Sequence, residues 1–415
     1  MDIEQLYTHI RKDEQTDETF LHLTSNEPYV SNTARAFTNS RLADRYYFGG
    51  GDDELVDFGA FTSLGMPGIA ELVETAKEAA KDMLGAAEIS LHCLSGVHAM
   101  MCAILSTTEP GDTVMTVHHD HGGHFATKGI VERIGRGHVF TPGYDYSGLA
   151  FDAEATAKTF KEKNCRALYL DVSYYLNPHN LRELREALGE EAIIIYDASH
   201  TMGLIMGQQF QAPLKEGANV ICANTHKTLP GPQKGMIAFR DADLGKKANA
   251  IIDGCLYSSP HTASIIALAT TILEMKEFGQ DFAKQIIANS NALGEALNKQ
   301  GYHVRKANTG RWSENHQVHL MTHQIGKHTE LWRQLYRNNI NVNFDSPDVF
   351  KQGFFIRLGT QEITRRGMKE AEMKQIADFL QRGLSGYVFA DEVTAFVRKY
   401  RTAHYSFDIP SVSLE

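Results

Sequence analysis

Three consecutive apolar runs constrain this chain more than any other feature. ALYLDVS (167–173), AIIIYDAS (192–199) and NVICANT (219–225) are apolar at successive positions, not alternate ones. A strand without a polar face must be covered on both sides, which is the signature of a parallel sheet packed between helices. The intervening stretches supply the helices: FDAEATAKTFKEK (151–163) and NLRELREALG (180–189) carry apolar residues at helical spacing. TVMTVHH (113–119) and GMIAF (235–239) read as further buried strands, and IAELVETAKEAAKDMLG, from about 68 to 84, as a helix. The order predicts an α/β fold with a mostly parallel sheet.

The chain has 415 residues, too many for one ordinary core, so more than one domain is expected. Residues 1–55 are polar and read as an N-terminal arm. Residues 56–280 hold the strand–helix alternation and read as a large domain. Residues 281–415 read as a smaller α+β domain, with strand candidates at 316–323 and 354–361 and helices at about 366–384 and 389–402. A long helix from about 261 to 300 bridges the last two. The net charge of −10 argues against binding nucleic acid by phosphate neutralisation. No stretch approaches the roughly 18–20 apolar residues that span a bilayer. The acidic start Met1-Asp2-Ile3-Glu4 does not read as a signal peptide. The five cysteines are odd in number and form no CxxC pair, which predicts free thiols and a cytoplasmic location.

Open sheets bind ligands at the carboxyl ends of their strands, so the residues ending these runs are the first candidates. They are Ser173, Asp197, the triplet Thr225-His226-Lys227 and a histidine-rich turn after residue 117. Lys227 precedes the Pro/Gly turn LPGPQKG. A desolvated lysine loses its charge readily and can form a Schiff base. A lysine snorkelling from a strand end gives the same pattern. Asp197, thirty residues earlier, tips the balance. Pyridoxal 5'-phosphate (PLP) needs an anion at its pyridinium nitrogen to act as an electron sink. Ser95-Gly96-Val97-His98 opens the apolar run AMMCAIL, so Ser95 reads as an N-cap, and the helix start is either a plain capped helix or a phosphate seat. Within 118–124, His-His-Asp-His-Gly-Gly-His admits a zinc or iron site, a ring stacked on a cofactor, or a polar loop. Arg357 lies inside the apolar run FFIRLGT and needs an anionic partner, either a substrate carboxylate or an internal salt bridge.

These segments resemble the serine hydroxymethyltransferases, PLP enzymes of fold type I, from about residue 20 to about 385. The likeness is carried by LHLTSNEPYVS (21–31), SGVHA (95–99), HGGH (121–124), DASHTMGLIMG (197–207), NTHKTLPGPQKG (224–235), SENH (313–316) and RLGTQEITRRGMKE (357–370). The resemblance implies Lys227 as the Schiff-base lysine and Asp197 as the partner of the ring nitrogen. It implies His121 stacked on the ring, with Ser173 and His200 near the 3-oxygen and Thr225 and His226 beside the cofactor. Ser95, Gly96 and Val97 would form the phosphate turn, Glu27 the acid/base group, and Arg357 the carboxylate site. One of Tyr46 and Tyr47 would be a catalytic tyrosine. Asn343 would match a folate contact, and Ser259 would stand where the family has a glycine pair that reaches the partner subunit's phosphate.

The departures are informative. Val97 replaces a phosphate-binding serine and His98 a glutamine, while Pro230 and Gln233 stand where the family has arginines. The run 49–53 (GGGDD) and the loop 344–353 also differ. PGPQKG and the ending AHYSFD are similar to the threonine transaldolases, a folate-independent branch. The resemblance implies cleavage and formation of a Cα–Cβ bond in a small amino acid through a glycine quinonoid. Three outcomes share these residues: transaldolase, hydroxymethyltransferase with tetrahydrofolate, and aldolase. The transaldolase is the expected one, with an amino acid and an aldehyde as substrates. A homodimer or higher homo-oligomer is expected, the arm crossing to the partner. A metal enzyme built on 118–124 is the remaining alternative.

Overall fold

The computed structural model describes residues 2–49, 55–58, 61–145, 150–322, 325–345 and 354–409. Most of the glycine run at 49–53 and of the loop 344–353 therefore lies outside the described residues. In chain order, helix α1 (Ile3–Asp17) is followed by α2 (Pro67–Leu84), β1 (Glu88–Ser90) and α3 (Gly96–Thr107). Strands β2 (Thr113–Thr116), β3 (Gly137–Phe140) and β4 (Cys165–Leu170) come next, then α4 (Leu181–Leu188). Strands β5 (Ile193–Asp197), β6 (Val220–His226) and β7 (Pro230–Phe239) complete the large sheet. Helix α5 (Thr262–Lys299) leads to β8 (Gln317–Met321), β9 (Asn343–Asp345), β10 (Phe355–Gly359) and α6 (Glu370–Leu384).

Two compact units result: residues 26–284 with 405–415, and residues 1–25 with 285–404. The segment 1–55, expected as one arm, is divided between them. Leu21 and His22 pair in parallel with Ile340 and Asn341, which draws the first residues into the second unit. Residues 405–409 belong to the first unit, where Phe407 N–H and the Ser31 hydroxyl both donate to the buried Glu274 carboxylate.

The first unit is built on a seven-stranded sheet of order β1-β7-β6-β5-β4-β2-β3. Strands β6, β5, β4, β2 and β3 run parallel; β7 runs antiparallel to them, and β1, paired antiparallel with β7, returns to their direction. Side chains alternate across a strand. Tyr169, Ile195 and Cys222 therefore join Ala99, Cys102 and Ala103 of α3 in one core, while Leu168, Ile194, Tyr196 and Ile221 are fully buried on the opposite face. Burial on both faces explains why these strands read as unbroken apolar runs.

Arg185 on α4 fixes where β5 and β6 begin. Its guanidinium donates to Gly217 O, Gly189 O, Ala192 O and Asn219 Oδ1, and Asn219 Oδ1 also accepts Ile194 N–H. The same strands end at Asp197 and His226, so this clamp sets the placement of the site.

The second unit holds an antiparallel sheet of order β8-β10-β9 against a core that includes Leu293, Val318, Ile356, Ile376 and Phe379. The helix expected over 366–384 breaks at Gly367, whose φ of 89° lies in the left-handed region. Helix α6 starts only at Glu370.

Arg185→Leu is expected to lower stability by about 3 kcal/mol, because several buried carbonyls lose their donor. Urea unfolding of the purified protein checks this, and an unchanged midpoint would show that the clamp is dispensable.

Candidate active site

Parallel pairing brings Asp197 opposite Cys222 and Ile195 opposite Tyr169 at the carboxyl end of the sheet. Asp197 Oδ1 accepts Ser199 N–H at 2.8 Å, and Oδ2 accepts the Tyr169 hydroxyl at 2.5 Å. One residue past β6, Lys227 Nζ lies 3.2 Å from His200 Nε2. Thr228 and His200 are tied by a 2.9 Å hydrogen bond from the Thr228 hydroxyl to His200 O, which holds the two strand ends together. Burial, helped by the Lys227 charge, pushes His226 down to about 4, so its ring is neutral. The Thr225 hydroxyl donates to Pro232 O and accepts Lys234 N–H, pinning the turn that follows the lysine.

The start of α3 faces the same region. Ser95 Oγ accepts His98 N–H at 3.1 Å, the N-cap expected from sequence. Glycine is required twice here. A Cβ on Gly96 would stand 2.8 Å from Asn224 Cβ, and one on Gly235 would stand 2.3 Å from Ser95 O. The helix N-terminus thus seats directly on β6 and β7, with Val97 exposed beside it.

The histidine run forms a tight turn. His118 Nδ1 accepts Asp120 N–H, and its ring meets Phe140 edge-on. Gly122 has φ 92°, and a Cβ on Gly123 would lie 2.2 Å from Val117 O. Ser173 N–H donates to Gly122 O at 2.8 Å. Asp171 adds two anchors: its Oδ2 accepts His124 N–H at 3.2 Å and the Thr127 hydroxyl at 2.5 Å. Together these bonds set where His121 stands. Sequence reasoning passed over Asp171; the signal available was a carboxylate inside the apolar run ALYLDVS. Burial pushes the Asp171 carboxyl up to about 7, with a further push from the Asp197 charge.

The metal reading of 118–124 gains no support. Among the described residues the set of metal-ligating groups lying close together is Cys93, His98 and Cys102, all within 4.8 Å. There His98 Nδ1 accepts Leu94 N–H and Nε2 bonds Leu256 O. A neutral imidazole has one lone pair, and Leu94 uses it.

The tyrosine pair is differentiated by environment. Tyr47 is buried, its N–H bonded to Thr262 Oγ1 and its phenol pushed up to about 12 by burial. Tyr46 is exposed, its hydroxyl 3.5 Å from Ser259 Oγ. Glu27 is exposed at the start of the first unit. In the second unit, Arg357 is buried in the middle of β10, paired in register with His319 and with Asn343. The charge of Arg357 adds to burial in holding the His319 ring neutral. Asn343 Oδ1 accepts Ser25 N–H at 3.1 Å.

The family model described as serine hydroxymethyltransferase matches residues 1–380. The chain belongs to the serine hydroxymethyltransferase family. It is 33% identical over 94% of its length to a serine hydroxymethyltransferase of Methanosphaera stadtmanae, covering 92% of that protein. It is 34% identical over 97% of its length to a fluorothreonine transaldolase of Streptantibioticus cattleyicolor, of which it spans 64%. An L-threonine transaldolase from Pseudomonas fluorescens superposes with a TM-score of 0.88 at 29% identity, covering 98% of this chain and 94% of the other. The fold is that of the PLP-dependent transferases, and the protein is a PLP-dependent transferase. No helix among the described residues is long and apolar enough to cross a membrane. The residues at the strand ends suit PLP: a helix N-terminus for a phosphate, a carboxylate for a pyridine nitrogen and an amine 3.2 Å from a buried histidine.

Asp171 yields a pH prediction. Its pKa is raised in the folded state, so its contribution to stability is complete below the unfolded value, about 4. That contribution is lost as pH rises through about 7. Asp171→Asn keeps the Thr127 and His124 bonds without the charge. Wild type is expected to lose stability relative to the variant between those pH values, measured by urea unfolding. A constant difference across that range would contradict the assignment.

Proposed function

We propose that this protein is a threonine transaldolase: it cleaves the Cα–Cβ bond of L-threonine, releases acetaldehyde and joins the glycyl unit to a second aldehyde. The product is a new β-hydroxy amino acid. The observation that carries this reading is the likeness, over nearly the whole chain, to an L-threonine transaldolase structure and to a fluorothreonine transaldolase. The sequence adds PGPQKG in the segment after Lys227, where the hydroxymethyltransferases have arginines at the positions of Pro230 and Gln233.

PLP, when bound, supplies the electron sink that accepts the pair left on Cα. Each protein group then has a role that its position supports. Lys227 is the amine that would hold the cofactor. Asp197 provides the anion for the ring nitrogen. Ser95, Gly96 and Val97 offer the N-terminal N–H groups of α3 to the phosphate. His121, fixed by its glycine turn, faces the ring, with Ser173 and His200 near its 3-oxygen. Thr225 acts through the turn it pins, and neutral His226 adds no charge beside Lys227. Arg357 takes the substrate carboxylate by a bidentate pair, which selects the Cα bond that is cleaved. Glu27 holds or gives the proton at the β-hydroxyl. Tyr46 is the better candidate of the two tyrosines for contact with substrate, because Tyr47 is packed into the core. Ser259 and Tyr46 lie together at a surface assigned to a homodimer contact. Asn343, whose side-chain oxygen accepts Ser25 N–H, stays the candidate for the folate or substrate contact that the resemblance implies.

The deciding experiment supplies the holoenzyme with L-threonine and an aromatic aldehyde in the absence of folate. Acetaldehyde release with formation of a β-hydroxy amino acid is expected. Turnover of serine only when tetrahydrofolate is added would make the protein a hydroxymethyltransferase instead. Lys227→Ala is expected to abolish the visible absorbance of the bound cofactor, and retained absorbance would mean that another lysine carries it. Arg357→Ala is expected to raise the KM for threonine roughly 100-fold while cofactor affinity holds, the loss of two charged hydrogen bonds. An equal loss of both would make Arg357 structural.

A further inference from the structure

Tyr169 stands apart from the other core tyrosines in what its hydroxyl does. The side chain is fully buried on β4, on the face covered by α3. Its register partner on β5 is Ile195, so Asp197, two residues on, is its diagonal neighbour on the same face. The phenol donates its single proton to Asp197 Oδ2 at 2.5 Å. Its oxygen accepts the Cys222 thiol at 3.6 Å, and Cys222 is itself the register partner of Asp197. The three side chains thus form a directed chain, thiol to phenol to carboxylate. The direction is set chemically: the phenol has one proton, and the acceptor that gains most from it is the charged one.

We propose that Tyr169 is a positioning residue for Asp197, fixing its carboxylate in orientation and in the anionic form that a protonated pyridine nitrogen requires. This rests on the reading of Asp197 as the partner of the PLP ring nitrogen. A buried carboxylate hydrogen-bonded in its charged form gives up that form less readily. Without the phenol, the proton shared between ring nitrogen and carboxylate would move toward the carboxylate. The ring would then be a weaker electron sink.

Asp171, two residues beyond Tyr169, is a buried carboxyl, and its protonation responds to the Asp197 charge. Burial and the nearby Asp197 charge both disfavour ionisation of Asp171. Asp171 is pushed up to about 7. Each carboxyl accepts two hydrogen bonds, Asp171 from Thr127 and His124 N–H and Asp197 from Tyr169 and Ser199 N–H, and at Asp197 the hydroxyl donor is Tyr169. The other titratable groups that sense Asp197 are His124 from the histidine turn, Cys222 from β6 and Tyr175 after β4. Burial and the Asp197 charge push the Tyr169 phenol well above its ordinary value, so it remains a donor.

The test uses the full-length holoenzyme loaded with PLP carrying 15N in the ring. Tyr169→Phe is expected to move the ring 15N resonance toward that of neutral pyridine. With one charged hydrogen bond removed, kcat should fall about tenfold, with the KM for threonine changed less than about twofold. Ile195→Val loosens the same core without touching a polar group and is expected to leave the resonance in place. A shift there as large as that of Tyr169→Phe would reduce the effect to packing and overturn the proposal. Asp197→Asn separates the two readings. If it leaves the resonance unmoved, Asp197 is not the nitrogen's partner and the parent assignment fails. If it moves the resonance and Tyr169→Phe does not, the parent assignment stands and the role of Tyr169 is overturned. Incorporation of 3,5-difluorotyrosine at position 169, a stronger donor, supplies a second arm independent of the phenylalanine variant's folding. It must shift the resonance in the opposite direction, and a shift in the same direction would refute the proposal.

Discussion

The register between β4, β5 and β6 decides where the Asp197 carboxylate stands and which groups it meets. Parallel strands end on one side of the sheet, so polar residues that finish different runs are brought to one place without any contact between them in sequence. Pairing Asp197 with Cys222 and Ile195 with Tyr169 decides which groups it meets. A one-residue slip would turn Tyr169 to the opposite face and leave Asp197 without its phenol donor. Arg185 guards against such a slip from the other end of the strands, because its guanidinium ties the residues before β5 and β6 to one helix.

Around this centre, close approach is achieved by leaving side chains out. Gly96 and Gly235 let the start of α3 rest on the sheet, and Gly123 lets the histidine turn fold back onto Val117. The turn is then bound to the end of β4 by Ser173 and Asp171. The start of α3 and the histidine turn are thus held by the protein's own contacts. Preorganisation of this kind lowers the cost of binding and of charge development.

The sequence patterns that proved most legible were those with a local cause. The apolar runs became central strands because burial on both faces demands them, and the N-cap at Ser95 formed because a hydroxyl before a helix has a ready donor in His98 N–H. Less legible were features that depend on distant partners. Residues 1–25 join the second unit because Leu21 and His22 find a strand more than 300 residues away, which no local composition signals. Asp171 looked like part of a strand end, and its anchoring of the histidine turn depends on Thr127 and His124. The tyrosine pair was indistinguishable in sequence, since both are apolar rings with hydroxyls; packing alone buries Tyr47 and exposes Tyr46.

The sequence by itself determined the α/β class and the lysine and aspartate at strand ends, because periodicity and strand-end chemistry are local and survive without coordinates; the PLP enzyme family was legible only as a resemblance of whole segments. Only the tertiary structure decided what surrounds those groups. It placed a phenol against Asp197 and a buried carboxyl that senses its charge, gave His98 partners in Leu94 and Leu256, and differentiated two adjacent tyrosines. The physical reason is that charge state and hydrogen-bond satisfaction depend on desolvation and on neighbours brought together by folding, and neither quantity is encoded at a single position.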